Sequence, residues 1–368
     1  MNMAKQTADG SLPPRVTKWT GLQSLRAVAA ILVLWTHLKF ALGDDWMNRS
    51  MFIRSAAGAF GVDVFFVISG FVISLVASEK ESNWKRFLIH RFARVVPFYW
   101  LASLLLLLPK LAHFGSIHPL QIWNSFLFLP VLDRFEYTNP IHPYGWSLGF
   151  EIWFYLVFGA SLLFAKKKAP VVMMSFLLVG TILMSCLLPT MDWFLPRFLF
   201  SPMVLEFCCG ILIFRFRDRI PKGLVWPVLA FSALAFLGVL RTESLGKHLE
   251  VLKDPRLGWE RATVWGGAAA SLVLAVVLLE RSGRKIWPNW LVRLGDASYS
   301  LYLVQPLVLL AVRKFVPDSA IMLRGGLFVA GSIAVAPFAW RWVEVPLTRN
   351  VRIVLERIIP VPHRKIEK

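Results

Sequence analysis

Run after run of this chain extends for roughly twenty residues with almost no charge, the length a helix needs to cross about 30 Å of hydrocarbon at about 1.5 Å per residue. Such runs cover residues 21–42, 57–78, 95–113, 145–165, 169–189, 197–215, 223–241, 262–280, 296–314 and 320–343. A chain built this way is expected to be all-α, a polytopic membrane protein of about ten transmembrane helices. Composition agrees: 57% of residues are hydrophobic and only 17% charged, where a soluble domain carries about 25% charged residues. The chain is polar as far as Thr20, and no small-residue cleavage site follows the first apolar run. That run therefore reads as a retained span and not as a removed signal peptide. The apolar segment Ile122–Leu132 is too short to cross and reads as re-entrant or interfacial.

The formal net charge is +19. On a soluble protein this excess would suggest nucleic acid, but no basic stripe interleaved with polar recognition residues is present. Nucleic-acid binding is excluded on that ground. The basic residues instead fall in short runs between apolar stretches. With the N-terminus inside, lysine and arginine favour the cytoplasmic segments by roughly two to one, so both termini are expected to be cytoplasmic. The expected organisation is a cytoplasmic tail over 1–20, a transmembrane domain over 21–345 and a basic cytoplasmic tail over 346–368, with 114–144 and 241–261 outside. Cys186, Cys208 and Cys209 lie in apolar stretches and offer no disulfide framework. The histidines are scattered without ligand spacing, so no metal is expected.

Ionisable groups inside spans are costly and mark functional sites. The first span holds Arg26 and His37. Eleven residues make about three helical turns plus 20°, so both lie on one face, about 16 Å apart along the axis. Asp63 in the second span and Glu151 in the fourth are expected at the depth of His37. A histidine beside a carboxylate has the chemistry of a general base with an orienting partner. A lone buried histidine is more often a packing residue, and either carboxylate alone could be a helix–helix hydrogen bond; the grouping is what argues for chemistry. Arg26, Arg86, Arg91 and Arg94 collect at the cytoplasmic mouth, where guanidinium groups suit phosphate. Periodicity names an anion-binding mouth and a deep base, and no particular ligand.

These residues sit in recognisable stretches. Leu25-Arg26-Ala27 precedes His37 by ten intervening residues, counted from the arginine. Gly61-Val62-Asp63-Val64-Phe65-Phe66-Val67-Ile68-Ser69-Gly70-Phe71 follows. Phe87, Arg91, Arg94, Pro97 and Tyr99 come next, then Trp146-Ser147-Leu148 with Glu151, Phe154 and Tyr155, and Glu206-Phe207 with Gly210. Ser298 to Leu303 and Trp342 to Leu347 complete the series. Together, in this order, they make the chain resemble the membrane acyltransferase-3 family, which O-acylates extracytoplasmic glycans. Two positions depart from the family pattern. Gln23-Ser24 stands where an acidic residue often precedes the arginine, and Gln305 stands where a histidine often precedes the proline. Gln305 can hydrogen-bond but cannot act as a base.

The resemblance implies transfer of an acyl group, commonly acetyl, from cytoplasmic acyl-CoA to a carbohydrate hydroxyl at the cell's inner (plasma) membrane. Acyl-CoA is then a co-substrate, and no cofactor is expected to be bound. Arg26, Arg91 and Arg94 would hold donor phosphates; His37, oriented by Asp63 or Glu151, would be the base; Ser147, Tyr155 and Gln305 are candidate acceptor or oxyanion contacts. The implied partners are the bilayer, the glycan acceptor, acyl-CoA and at most polysaccharide assembly proteins. The chain as given stops soon after its tenth span, so the esterase-like domain of some relatives is not expected. The alternative is a polysaccharide or lipid-linked-sugar transporter without acyl transfer, which predicts repeat symmetry and paired broken helices.

Overall fold

The computed structural model describes residues 19–43, 56–78, 83–114, 117–129, 138–187, 193–284 and 287–359. The expected tails over 1–18 and 360–368 lie outside the described residues. The described chain is helical throughout, without a strand. Helix α1 spans Thr20–Leu42, α2 Phe60–Ser78, α3 Trp84–Phe114, α4 Pro119–Phe126, α5 Gly145–Ala165, α6 Ala169–Leu187, α7 Phe194–Leu199 and α8 Leu205–Phe216. Helix α9 spans Val225–Arg241, α10 His248–Lys253, α11 Pro255–Arg281, α12 Asn289–Asp296, α13 Ser298–Phe315, α14 Ile321–Ala339 and α15 Val345–Ile358.

Eight helical stretches among the described residues are long and apolar enough to cross a membrane, or nine if the bent pair α12–α13 is one span. One of the eight, Gly145–Leu187, runs for 43 residues. It is no single rod: Trp153 of α5 lies 6.3 Å, ring to ring, from Phe176 of α6. The chain reverses at Lys166, which takes a positive φ of 43°, so α5 and α6 are two antiparallel passes. Counted so, and with α12–α13 as one span, the described residues hold ten candidate passes, in line with the ten apolar runs. Helices α6 and α9 turn Phe176, Leu183, Phe231 and Leu234 outward. Such a surface suits contact with lipid.

Helix α1 is central and packs against α2, α11, α12, α13 and α14. Its first turn is capped from the end of α11. The Glu280 carboxylate accepts from Thr20 N–H at 2.6 Å and from Gly21 N–H at 3.0 Å, satisfying helix-terminal donors and opposing the positive end of the dipole. Small residues set the closest crossings, as is usual between helices in lipid. Gly70 of α2 lies directly against the Phe207 carbonyl of α8, and Gly210 of α8 against the Val67 carbonyl of α2. A side chain at either would meet backbone. Gly210→Val is expected to cost at least about 1–3 kcal/mol, read as a lower unfolding temperature of the purified protein in detergent. An unchanged temperature would contradict the close crossing.

Two basic segments are helical. The basic stretch Trp84–Pro97, whose Arg86, Arg91 and Arg94 are expected at the cytoplasmic mouth, forms the opening turns of α3, continuous with the third span. Apolar Phe87, Ile89 and Val95 sit between its charges and are buried. The 346–368 tail, in its described part, continues as helix α15 through Ile358. The helix holds onto α3, where His90 Nε2 lies 2.9 Å from Glu356 Oε1. The short segment expected to be re-entrant or interfacial is α4, docked on α3 by Tyr99 O–H donating to the Ser125 carbonyl at 3.1 Å; of that segment, residues 130–132 lie outside the described residues.

Candidate active site

Two joined hollows occupy the centre of the bundle. The inner one, about 800 Å³, is walled by α1, α2, α3, α5 and α13 and presents Arg26, Arg91, Arg94, Glu151, Tyr155 and Tyr302. The second, about 840 Å³, shares Arg26 and Arg94 with the first and opens beside α15. Gln23, near the start of α1, and Arg352 of α15 both line it, so the two ends of the described chain meet at one face. Arg86, placed at the mouth by sequence, lines neither hollow.

The inner hollow has fixed charges. Glu151 Oε1 accepts from Tyr155 O–H one turn along α5 and from Ser69 O–H of α2 at 3.3 Å. Arg91 is buried, its guanidinium 5.7 Å from the rings of both Phe87 and Tyr155. Helix α3 presents Arg91 and Arg94 at i, i+3 to the same space. Glu151 is thus the counter-charge of an arginine cluster. It is not a neighbour of His37.

The far wall is a hydroxyl pair. Ser147 Oγ and Tyr302 Oη lie 2.7 Å apart, and Tyr302 O–H donates to the Tyr144 carbonyl at 3.0 Å. Behind that wall the His37 ring stacks on Tyr144 at 3.8 Å between centroids, nearly parallel. His37 Nδ1 lies 2.8 Å from Gln305 Oε1. An amide oxygen only accepts, so Nδ1 carries the proton and the lone pair belongs to Nε2. The Gln305 amide nitrogen has no hydrogen-bond partner although the side chain is buried. His142, immediately before α5, donates Nε2–H to the Leu303 carbonyl at 3.1 Å. Burial holds its imidazole at about 4, so it is neutral and fixed. Beside this end, His248 of α10 stacks on Trp146 at 4.4 Å.

The expected pairing of His37 with Asp63 or Glu151 is therefore corrected. Gly61 sits against the Ala29 carbonyl, which puts Asp63 near the level of Ala29, about two turns short of His37. Asp63 is fully buried in a two-pronged pair with Arg261, Nε to Oδ1 at 3.0 Å and Nη2 to Oδ2 at 2.8 Å. Arg261 Nη1 also donates to the Leu245 carbonyl at 2.7 Å and stacks its guanidinium over Trp265. Arg261 ends the stretch 241–261 that is expected outside, and it is a buried anchor inside α11. Glu206, of the fifth motif, is buried against Asp63; Gly266 of α11 packs on its side chain.

Of the candidate contacts, Ser147 is engaged with Tyr302 and Tyr155 with Glu151. Gln305 alone keeps an unspent donor. Arg26 and Arg94 line both hollows, whereas Arg91 lines only the inner one. Arg349, Arg352 and Trp340, which the sequence motifs do not single out, line the second. Among the described residues no group of three or more His, Cys, Asp or Glu side chains could hold a metal.

Comparison with known proteins agrees with this architecture. The chain is similar to the exopolysaccharide production protein ExoZ of Rhizobium meliloti (strain 1021), 31% identical over 269 residues that cover 70% of this chain and 78% of ExoZ. It is similar to the peptidoglycan O-acetyltransferase OatA of Listeria monocytogenes, 24% identical over 89% of this chain and 56% of OatA. A shorter match, 29% identical and covering 40% of each chain, is to the acyltransferase MdmB of Streptomyces mycarofaciens. No solved structure matches. The model of the acyltransferase domain family matches residues 19–341, taking in α1 with Arg26 and His37 and every helix that walls the inner hollow, and the chain belongs to the membrane acyltransferase-3 family.

Proposed function

We propose that the chain transfers an acyl group, acetyl in the simplest case, from cytoplasmic acyl-CoA to a hydroxyl of an extracytoplasmic polysaccharide or glycan precursor, as a multi-pass enzyme of the inner (plasma) membrane. The observation that carries this reading is the path itself. It begins among Arg26 and Arg94, runs past Glu151, and closes on the Ser147–Tyr302 pair, with His37 one ring beyond. A donor with phosphates at one end and a thioester at the other matches a cationic mouth separated from a base by about 16 Å of helix. The names of the relatives support an O-acetylated cell-surface glycan as product.

In this reading His37 Nε2 takes the proton of the acceptor hydroxyl as its oxygen bonds to the thioester carbonyl carbon. The tetrahedral centre collapses, the C–S bond breaks, and the proton passes to the departing thiolate. Gln305 fixes the tautomer through Oε1, and its free amide N–H donates to the developing oxyanion. The Ser147–Tyr302 pair parts to admit the thioester. Arg91, packed under Tyr155, balances Glu151 and shapes the pantetheine passage, while Arg26 and Arg94 take phosphate. The reading is tested by incubating the purified protein with acetyl-CoA labelled in the acetyl group and with exopolysaccharide or peptidoglycan fragments. Alkali-labile label on the glycan is expected, and no transfer from any acyl-CoA to any glycan would contradict it.

Arg26→Lys retains the charge and loses the two-pronged guanidinium. The donor KM is expected to rise about tenfold with kcat little changed; an Arg26→Ala enzyme with unchanged donor KM would make Arg26 a packing residue. For orientation, Lys167→Cys in a cysteine-free background should resist an impermeant thiol reagent in intact cells, while Ser244→Cys should react. Labelling of Lys167→Cys would invert the topology.

A further inference from the structure

The second hollow has a composition that the acyl-transfer chemistry does not require. One stripe of α15 faces it: Val345, Thr348, Arg349 and Arg352 recur at helical spacing. The same stripe continues backward to Trp340, at the start of a π turn that runs Trp340–Glu344 directly into α15. Such widened turns are rare and recur at functional sites. Arg26 and Arg94 form its floor, shared with the inner hollow, so four guanidinium groups meet two carboxylates, Asp296 and Glu344. Glu344 is already engaged, accepting from Ser300 O–H at 2.6 Å. The balance left for a ligand is cationic, with an indole in the wall.

From this the geometry points to a binding site for a nucleoside bisphosphate, with the base against Trp340 and phosphate groups on Arg349 and Arg352. The site rests on the acyl-CoA reading and deepens it. It assigns the nucleotide end of the donor to α15 and leaves Arg26 and Arg94 for the diphosphate nearer the pantetheine arm. Guanidinium forks match phosphate oxygens two at a time, and a purine face stacks on an aromatic ring with useful energy. The phosphate of an anionic lipid has the same charge chemistry. The indole and the continuity with the inner hollow favour the nucleotide, since a headgroup offers no ring to stack and needs no passage inward.

The test uses the full-length protein in nanodiscs and two readouts. The first is titration with adenosine 3′,5′-bisphosphate, followed by calorimetry, in phosphatidylcholine discs and again in discs containing phosphatidylglycerol. Saturable binding is expected in both lipids, weakened about tenfold or more in Arg349→Gln/Arg352→Gln and weakened separately in Trp340→Ala. The exposed position of both arginines on α15 lets the double variant fold. The second readout is the ratio of KM values for S-acetylpantetheine and acetyl-CoA. The wild-type protein should prefer acetyl-CoA, and the double variant should lose about tenfold of that preference. Turnover of acetyl-CoA with the same KM in wild type and double variant would overturn the nucleotide site while leaving the acyl-transfer reading in place. Binding abolished by phosphatidylglycerol and indifferent to Trp340→Ala would assign the arginines to lipid and overturn the site. Absence of turnover with either thioester would instead remove the acyl-CoA reading, and the donor site with it.

Discussion

His37→Gln is expected to insert, fold and bind donor nearly as the wild-type protein does, and to lose acyl transfer by about 10²–10⁴-fold, the range a positioned general base contributes. Glutamine keeps hydrogen-bonding capacity at that position, so its partner Gln305 is not left facing a void. What it cannot do is accept the hydroxyl proton. The measurement is the rate of label transfer from acetyl-CoA to the glycan at saturating donor, together with the donor KM. The limb of the pH–rate profile that reports deprotonation of the base should vanish with the activity. Gln305→Ala should do less, because it removes the tautomer lock and one donor and leaves the base in place. A His37→Gln protein that transfers at near the wild-type rate would put the base elsewhere, with Glu151 next in order.

Asp63→Ala is expected to be the most damaging single change to stability, about 3–5 kcal/mol, because it strands Arg261 without its counter-charge in a fully buried position. The double variant Asp63→Leu/Arg261→Met removes both charges and should recover most of that loss, since replacing a buried pair with apolar side chains is often neutral. This pair of measurements, unfolding in detergent and transfer rate on the same preparations, separates two roles for Asp63. If Asp63 acted in catalysis, the double variant would be stable and inactive. With Asp63 as an anchor for α2, α11 and the Leu245 loop, the double variant should regain stability and a substantial share of the activity.

The passes were legible because lipid leaves a chain few options. Long apolar runs must be helical, and in their described parts the ten runs fall on helix, the run 197–215 being interrupted at Phe200 and Ser201. Arg26 and His37 were legible as two ends of one path for a similar reason, since they share a helix and need no knowledge of any other. Relative depth across helices was not legible. It depends on register, and the register between α1 and α2 is set by Gly61 resting on the Ala29 carbonyl, a contact with no periodic signature. An error of two turns moved Asp63 from beside His37 to beside Arg261, which lies 198 residues away in the chain. Arg261 itself was hidden by its flanks: Glu260 and Asp254 make the stretch look like a solvated loop, whereas Asp254 caps α11 by accepting from Arg256 N–H at 2.8 Å. Gln305 was visible as a departure from the family pattern, but its contact with His37 was not, because a polar residue in a span does not announce its partner. Arg349 and Arg352 could have been found from the amphipathic spacing of α15, which a basic composition disguises as a tail.

In the proposed reaction, donor and acceptor meet inside the bundle after entering from opposite faces. Sealed proteoliposomes sorted for one orientation test it directly, with labelled acetyl-CoA supplied on one face only and the glycan acceptor on the other only. Label on the glycan is expected when acetyl-CoA is on the Arg26 face, none when the two are exchanged, and a loss of about 10²–10⁴-fold with His37→Gln. Equal transfer from either arrangement, or transfer only when both substrates share a face, would contradict it.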